Sequence, residues 1–195
     1  MNKEEILNEF RDANALLEGH FLLSSGLHSE MYLQCARVMM KPERGARICG
    51  ALADKISSTI DKKIDIVVSP AMGGVVVGYE MGRQLGVPSI FTERVDGEFE
   101  LRRGFEIPEG ANVLMAEDIV TTGLSSKECI ETITKFGGNV VAASCLIDRS
   151  NGKVDVGVPL VSLIGLEIAA YVKDNLHAHL KGTEAIKPGS RDLKK

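Results

Sequence analysis

An α/β fold, a parallel sheet flanked by helices with a small N-terminal hood, is what three features of the 195-residue sequence predict. Four short, nearly all-apolar runs (64–68, 87–92, 113–117 and 140–147) alternate with helical patterns, as the strands of a parallel sheet covered on both faces do. The segments after those runs are rich in Gly, hydroxyls and charges, where such sheets bind ligands. The first 40 residues or so follow a different rhythm, which sets the hood apart within a single domain spanning 1–195.

In chain order, Ile6, Leu7, Phe10, Ala13 and Leu17 recur at spacings of three and four. They predict an amphipathic helix over 2–17, stopped by Gly19. The stretch HFLLSSGLHSEMYLQC, two apolar runs around a Ser-Gly turn, predicts a hairpin. Pro42 suits the start of a second helix, whose stripe is Ile48, Leu52, Ile56 and Ile60. A third helix runs from the SPAMGGVVVG segment through Gln84, and a fourth from Ser125 to Phe136, ended by Gly137 and Gly138. Ser125 and Glu128 have the spacing of a capping box. LVSLIGLEI and the stretch to Lys181 are assigned to the N-terminal part.

Composition excludes several classes. A net charge of −4 gives no basic footprint for nucleic acid or an acidic membrane. No apolar run approaches the ~20 residues that span a bilayer, and the acidic, amphipathic start is unlike a secretory leader. Cys35, Cys49, Cys129 and Cys145 are widely spaced, which predicts buried reduced thiols and a cytoplasmic protein. His177 and His179 have no third ligand nearby, so no metal site is expected of the side chains. Neither a Walker loop nor a Rossmann fingerprint is present.

The chemistry centres on residues 113–126, VLMAEDIVTTGLSS. An apolar strand passes two carboxylates, Glu117 and Asp118, and enters a small-residue loop at a helix start. Unpaired amides at a helix N-terminus carry partial positive charge and can wrap a phosphate. The hydroxyls of Thr121, Thr122 and Ser125 add donors, and Gly123 allows close approach of the main chain. Adjacent carboxylates accept hydrogen bonds from a sugar diol. A phosphate cradle beside a diol acceptor suits a phosphorylated pentose.

This stretch resembles the 5-phosphoribosyl 1-diphosphate (PRPP) motif of the type I phosphoribosyltransferases. With FLLSSGLHS, SPAMGG, FTERVDGEFELRRGFE, IDR and the closing KPGSR, most of the chain resembles the orotate phosphoribosyltransferases of that family. The resemblance implies that Glu117 and Asp118 hold the ribose hydroxyls. It also implies that the main chain of Ile119, Val120, Thr121, Thr122, Gly123, Leu124 and Ser125 holds the 5′-phosphate. Gly73 and Gly74 would face the diphosphate, with a cis peptide between Ala71 and Met72. Thr121, Arg149 and the Ser25–Gly26 turn would contact orotate, and Arg94, Arg102 and Arg103 the diphosphate. Asp118, Arg102 and Arg103 are the catalytic candidates. Mg²⁺ bound mainly through the PRPP diphosphate, and a homodimer whose 92–104 loop reaches across, are further implications.

Taken alone, several segments admit plainer readings. SPAMGG is equally a tight turn into a helix; 92–104 is either a functional lid or a salt-bridged charged hairpin; Asp148 and Arg149 can simply cap a turn. The chain departs from the family pattern at Ser24, where many members have Lys, and at Met72-Gly73-Gly74, where many have Tyr-Lys-Gly. The 92–104 loop has no Lys or His, and Leu124 replaces a second Gly after Gly123. The expected activity is phosphoribosyl transfer to orotate; a purine or xanthine phosphoribosyltransferase and a non-catalytic PRPP sensor are the alternatives.

Overall fold

The structure, a computed structural model, describes residues 1–23 and 25–187, so Ser24 and the end of the closing KPGSR lie outside the described residues. Helix α1 (Lys3–Asp12) opens on a capping box: Asn2 accepts from the Glu5 amide at 2.9 Å and donates its own N–H to Glu5 at 2.8 Å. It stops well short of Leu17, because Asn14 turns left-handed (φ 50°) and sends Leu16 and Leu17 into a strand. That strand, β1 (Leu16–Leu22), pairs antiparallel with β2 (His28–Leu33), giving the expected hairpin. Gly19 marks its bulge rather than a helix end. A 3₁₀ segment, Cys35–Met40, leads into α2 (Pro42–Thr59), which buries Ile48, Leu52 and Ile56.

The alternating unit follows as expected, with shifted edges. β3 (Ile66–Pro70) is succeeded by α3 (Gly73–Leu85), β4 (Ser89–Val95), β5 (Glu98–Leu101), β6 (Asn112–Val120), α4 (Leu124–Lys135), β7 (Asn139–Asp148) and β8 (Leu160–Gly165). The sheet order is β5-β4-β3-β6-β7-β8, parallel throughout except for β5. β3 and β6 reach two and three residues further toward their carboxyl ends than their apolar runs foretell, which carries Asp118 as well as Glu117 inside a strand.

One assignment changes and one open alternative is decided. LVSLIG is β8, the parallel edge strand beside β7, not part of the hood; its Val161, Leu163 and Ile164 are buried in the main core. Residues 92–104 are largely the salt-bridged charged hairpin, one of the two readings open for them. β4 and β5 pair through a two-residue Asp96-Gly97 turn with both φ positive, the geometry that matches strand twist.

Each face of the sheet has its own core. α1, α2 and α3 cover one, around Phe10, Ile48, Leu52, Met81 and Leu114. α4 covers the other, around Val68, Met115, Cys129 and Ile133. The hood is a separate sheet, β1-β2 with β9 (Ala170–Tyr171) on its edge. The tail then runs along β1, where Ile186 exchanges main-chain hydrogen bonds with His20 and Leu22, each 2.8 Å. His20 and His28, both buried, hydrogen-bond each other at 2.7 Å, and His20 reaches Thr183 at 2.8 Å. His28 is therefore a satisfied structural histidine.

Candidate active site

Because β3, β4, β6 and β7 run parallel, the segments following them open on one edge of the sheet. The β3–α3 segment contains the cis peptide Ala71–Met72 that the resemblance implied. α3 sits very low on the sheet there. A Cβ on Gly73 would stand 2.9 Å from Oδ1 of Asp118, and one on Gly74 only 3.0 Å from the Ala116 carbonyl oxygen. The glycines bring the diphosphate-type loop directly against the carboxylate that ends β6.

At that end β6 presents Glu117 and Asp118, and the turn to α4 follows. Gly123 is the N-cap, left-handed at φ 74°, a conformation suited to glycine. A Cβ there would also collide with Val154 at 2.4 Å. No side chain caps α4, so the anticipated Ser125–Glu128 capping box does not form. Glu128 instead ion-pairs with Arg94. In the first turn the Leu124 amide reaches the Thr122 hydroxyl at 3.4 Å, and the turn borders a cavity of about 50 Å³ lined by Glu117 and residues 119–126. That volume is small and polar, on the scale of a single anionic group.

The carboxylates are electrostatically loaded. Burial lifts Glu117 to about 7, opposed by the hydroxyl of Ser126, which donates to its Oε2, reinforced by neighbouring Asp118 and relieved by Arg94. Burial also raises Asp118, although the Ile119 amide donates to its Oδ1 at 2.9 Å. Two crowded, half-desolvated carboxylates are costly in the free protein and ready to accept hydroxyl donors.

After β7, Asp148 organises the turn. It accepts from the Ser150 amide (2.7 Å), the Ser150 hydroxyl (2.6 Å) and the Gly152 amide (2.7 Å). Asp148 is therefore occupied, and Arg149 is free of it. The Arg149 amide donates to Val120 at 2.8 Å, which ties this turn to the end of β6. Its side-chain Nε is buried without a hydrogen-bond partner, and burial pushes the guanidinium pKa below its usual range. A buried N–H without a partner is rare in folded chains, and a guanidinium pairs best with a carboxylate.

The remaining predicted residues are placed less centrally. Arg94 leaves β4 to pair with Glu128, to donate to the Gly97 carbonyl, and to lie 4.1 Å over the Phe99 ring. Arg103 grips Glu93 with two 2.8 Å hydrogen bonds, and the charge of Arg102 also acts on Glu93. Ser25 and Gly26 form an exposed hood turn closed by a Gly26–Leu23 main-chain bond of 2.9 Å. Thr121, Thr122 and Leu124 are exposed around the α4 cradle. Asp148 takes the turn-capping part of the plainer reading without Arg149, whereas Ser126 escaped the sequence reading. Ser126 had a signal: it falls on the Cys129–Ile133 face of α4, and a hydroxyl on a buried stripe needs a dedicated partner.

Residues 41–164 match the family model described as phosphoribosyl transferase domain. Over 194 residues the chain is 58% identical to an orotate phosphoribosyltransferase of Sphingopyxis alaskensis, covering 99% of both chains. The chain belongs to the orotate phosphoribosyltransferase family. A second relative in the family, from Phenylobacterium zucineum, is 56% identical with full coverage of both chains. The solved orotate phosphoribosyltransferase of Aeropyrum pernix superposes with a TM-score of 0.69 over 83% of this chain and 94% of that one. At 24% identity it establishes the shared fold, the type I phosphoribosyltransferase sheet.

Proposed function

We propose that this chain transfers the phosphoribosyl group of PRPP to orotate, giving orotidine 5′-monophosphate and diphosphate, in UMP biosynthesis. The observation that carries the choice of base is Arg149. Its buried, unpartnered Nε lies in the turn bonded to Val120, one strand from the sugar-phosphate cradle. Orotate brings a carboxylate to match it; adenine and hypoxanthine bring none.

In this reading the α4 amides and the hydroxyls around them hold the 5′-phosphate, and Glu117 and Asp118 hold the ribose diol. The 71–74 main chain faces the diphosphate. The anomeric carbon passes through a cationic, oxocarbenium-like state, so no protein nucleophile is needed. Rate then comes from orienting two anions and stabilising developing charge. Among the described residues no three His, Cys, Asp or Glu side chains group as a metal cage. Mg²⁺ held through diphosphate oxygens and water would neutralise the leaving group. Arg102 is the arginine available to assist, since Arg94 and Arg103 are engaged.

A homodimer is part of the proposal. Met72 (81% exposed), Val76 (52%) and Tyr79 (69%) form one apolar face of α3, with Met40 (72%) from the adjoining 3₁₀ segment. Such a face suits a two-fold contact with a second copy. No described helix is long and apolar enough to cross a membrane; the proposed setting is the cytoplasm. The deciding experiment is loss of orotate absorbance with PRPP and Mg²⁺, repeated with adenine, hypoxanthine, xanthine and uracil. Turnover with orotate alone is expected; preference for a purine would overturn the assignment.

A further inference from the structure

We propose that Ser126 is a positioning residue: its hydroxyl, donated to Oε2 of Glu117, fixes that carboxylate so that Oε1 remains for the ribose diol. The inference rests on the reading of Glu117 as a diol acceptor. Ser126 stands in the first turn of α4 and is fully buried. Helical hydroxyls usually return to a carbonyl of their own helix. Ser58 and Thr59 of α2 both bond the Lys55 carbonyl, at 2.8 and 2.7 Å. Thr132 and Thr134 of α4 bond those of Glu128 and Ile130, each at 2.9 Å. Ser126 breaks this habit and crosses to β6 instead. Its side chain leans toward the helix N-terminus, as helical side chains do, and lines the same cavity as the phosphate amides. One hydroxyl thus joins the phosphate cradle to the sugar grip.

The bond also favours the ionised form of a carboxylate that burial and Asp118 push toward protonation. Removing it should raise the pH at which Glu117 becomes an acceptor. Arg94, the positive group acting on Glu117, and Asp118, the negative one, are unchanged by the substitution.

The test is calorimetric titration of ribose 5-phosphate between about pH 5.5 and about pH 9. The proteins are the wild-type chain, S126A, S126T, E117A and E117A/S126A. S126A is expected to bind about tenfold more weakly near neutrality, with the rise of affinity shifted up by about one pH unit. The two curves should converge at the alkaline end. S126T, which keeps the hydroxyl, should keep the wild-type midpoint even where its Tm falls. In the E117A background the second substitution should change nothing further. Equal weakening at every pH, or weakening that persists without Glu117, would mean that Ser126 only packs. Wild-type protein that ignores ribose 5-phosphate at all pH values would overturn the diol-acceptor reading itself, and this inference with it.

Discussion

Glu117 is an acid in which function and stability oppose each other. Its folded pKa, about 7 against an ordinary 4.5, means that the native state holds a proton more tightly than the unfolded chain. Stability therefore declines as pH rises from about 4.5 to about 7, by an amount on the order of 3 kcal/mol. Glu117→Gln, with no charge to desolvate, should raise Tm at pH 8 but leave it nearly unchanged at pH 4.5, while lowering affinity for PRPP; paired thermal melts check the sign. Asp118→Ala should cut turnover by about a hundredfold or more with native circular dichroism, since the diol loses an acceptor that no neighbour replaces. A variant of near-wild-type rate would remove Asp118 from the site. Arg149→Ala should raise the KM for orotate by roughly tenfold to a hundredfold and leave that for PRPP within a few-fold, as loss of a charge-assisted bond to one substrate requires. Steady-state kinetics with each substrate varied in turn separates the two. The carboxylates and the arginine were legible as residues because their types and order are unusual after apolar strands. What the sequence left open is whether Arg149 shares the turn with Asp148; the carboxylate is taken by Ser150 and Gly152, and the Arg149 Nε is left without a partner.

Helix α3 shows how an element can be set by what it lacks. Gly74, Gly78 and Gly82 fall four apart on the face that meets the sheet, and a Cβ on any of them would crowd a strand. Glycine in a helix interior costs about 1 kcal/mol relative to alanine, so the stripe is kept for close approach. Gly78→Ala would place a methyl carbon 2.5 Å from Oγ and 2.8 Å from Cβ of Ser69. Despite better helix propensity it should cost about 1–3 kcal/mol. Because α3 carries the 71–74 loop at its start, the KM for PRPP should also rise. A denaturant melt with matching kinetics tests both. Most elements were legible because all-apolar strands and three-to-four spacings are strong signals. α1 was overextended because Leu17 stays in phase with its stripe, and only the left-handed Asn14 breaks it. The β4–β5 hairpin was legible as one of two readings of 92–104, and the Asp96-Gly97 turn with the burial of Phe99 decides for it. β8 was misplaced because an apolar run names no partner; pairing with β7 is decided by the sheet edge that α4 and α2 leave open.

For the whole molecule, the exposed α3 face makes oligomeric state testable. Val76→Glu with Tyr79→Glu should convert a dimer to a monomer on size exclusion with light scattering, with the far-ultraviolet spectrum unchanged; a wild-type chain that elutes as a monomer would remove the proposed contact. The hood adds an ordering in time. Its hairpin leaves the ribosome before the six-stranded sheet, yet the strand Ala170–Tyr171 and the pairing of Phe21 with Ile186 wait until β8 has been made. The six-stranded sheet can assemble while its cover still has a bare edge, since contacts of high sequence separation are slow to close. A nascent chain stalled after β8 should therefore hold a protease-resistant sheet beneath a cleavable N-terminal arm.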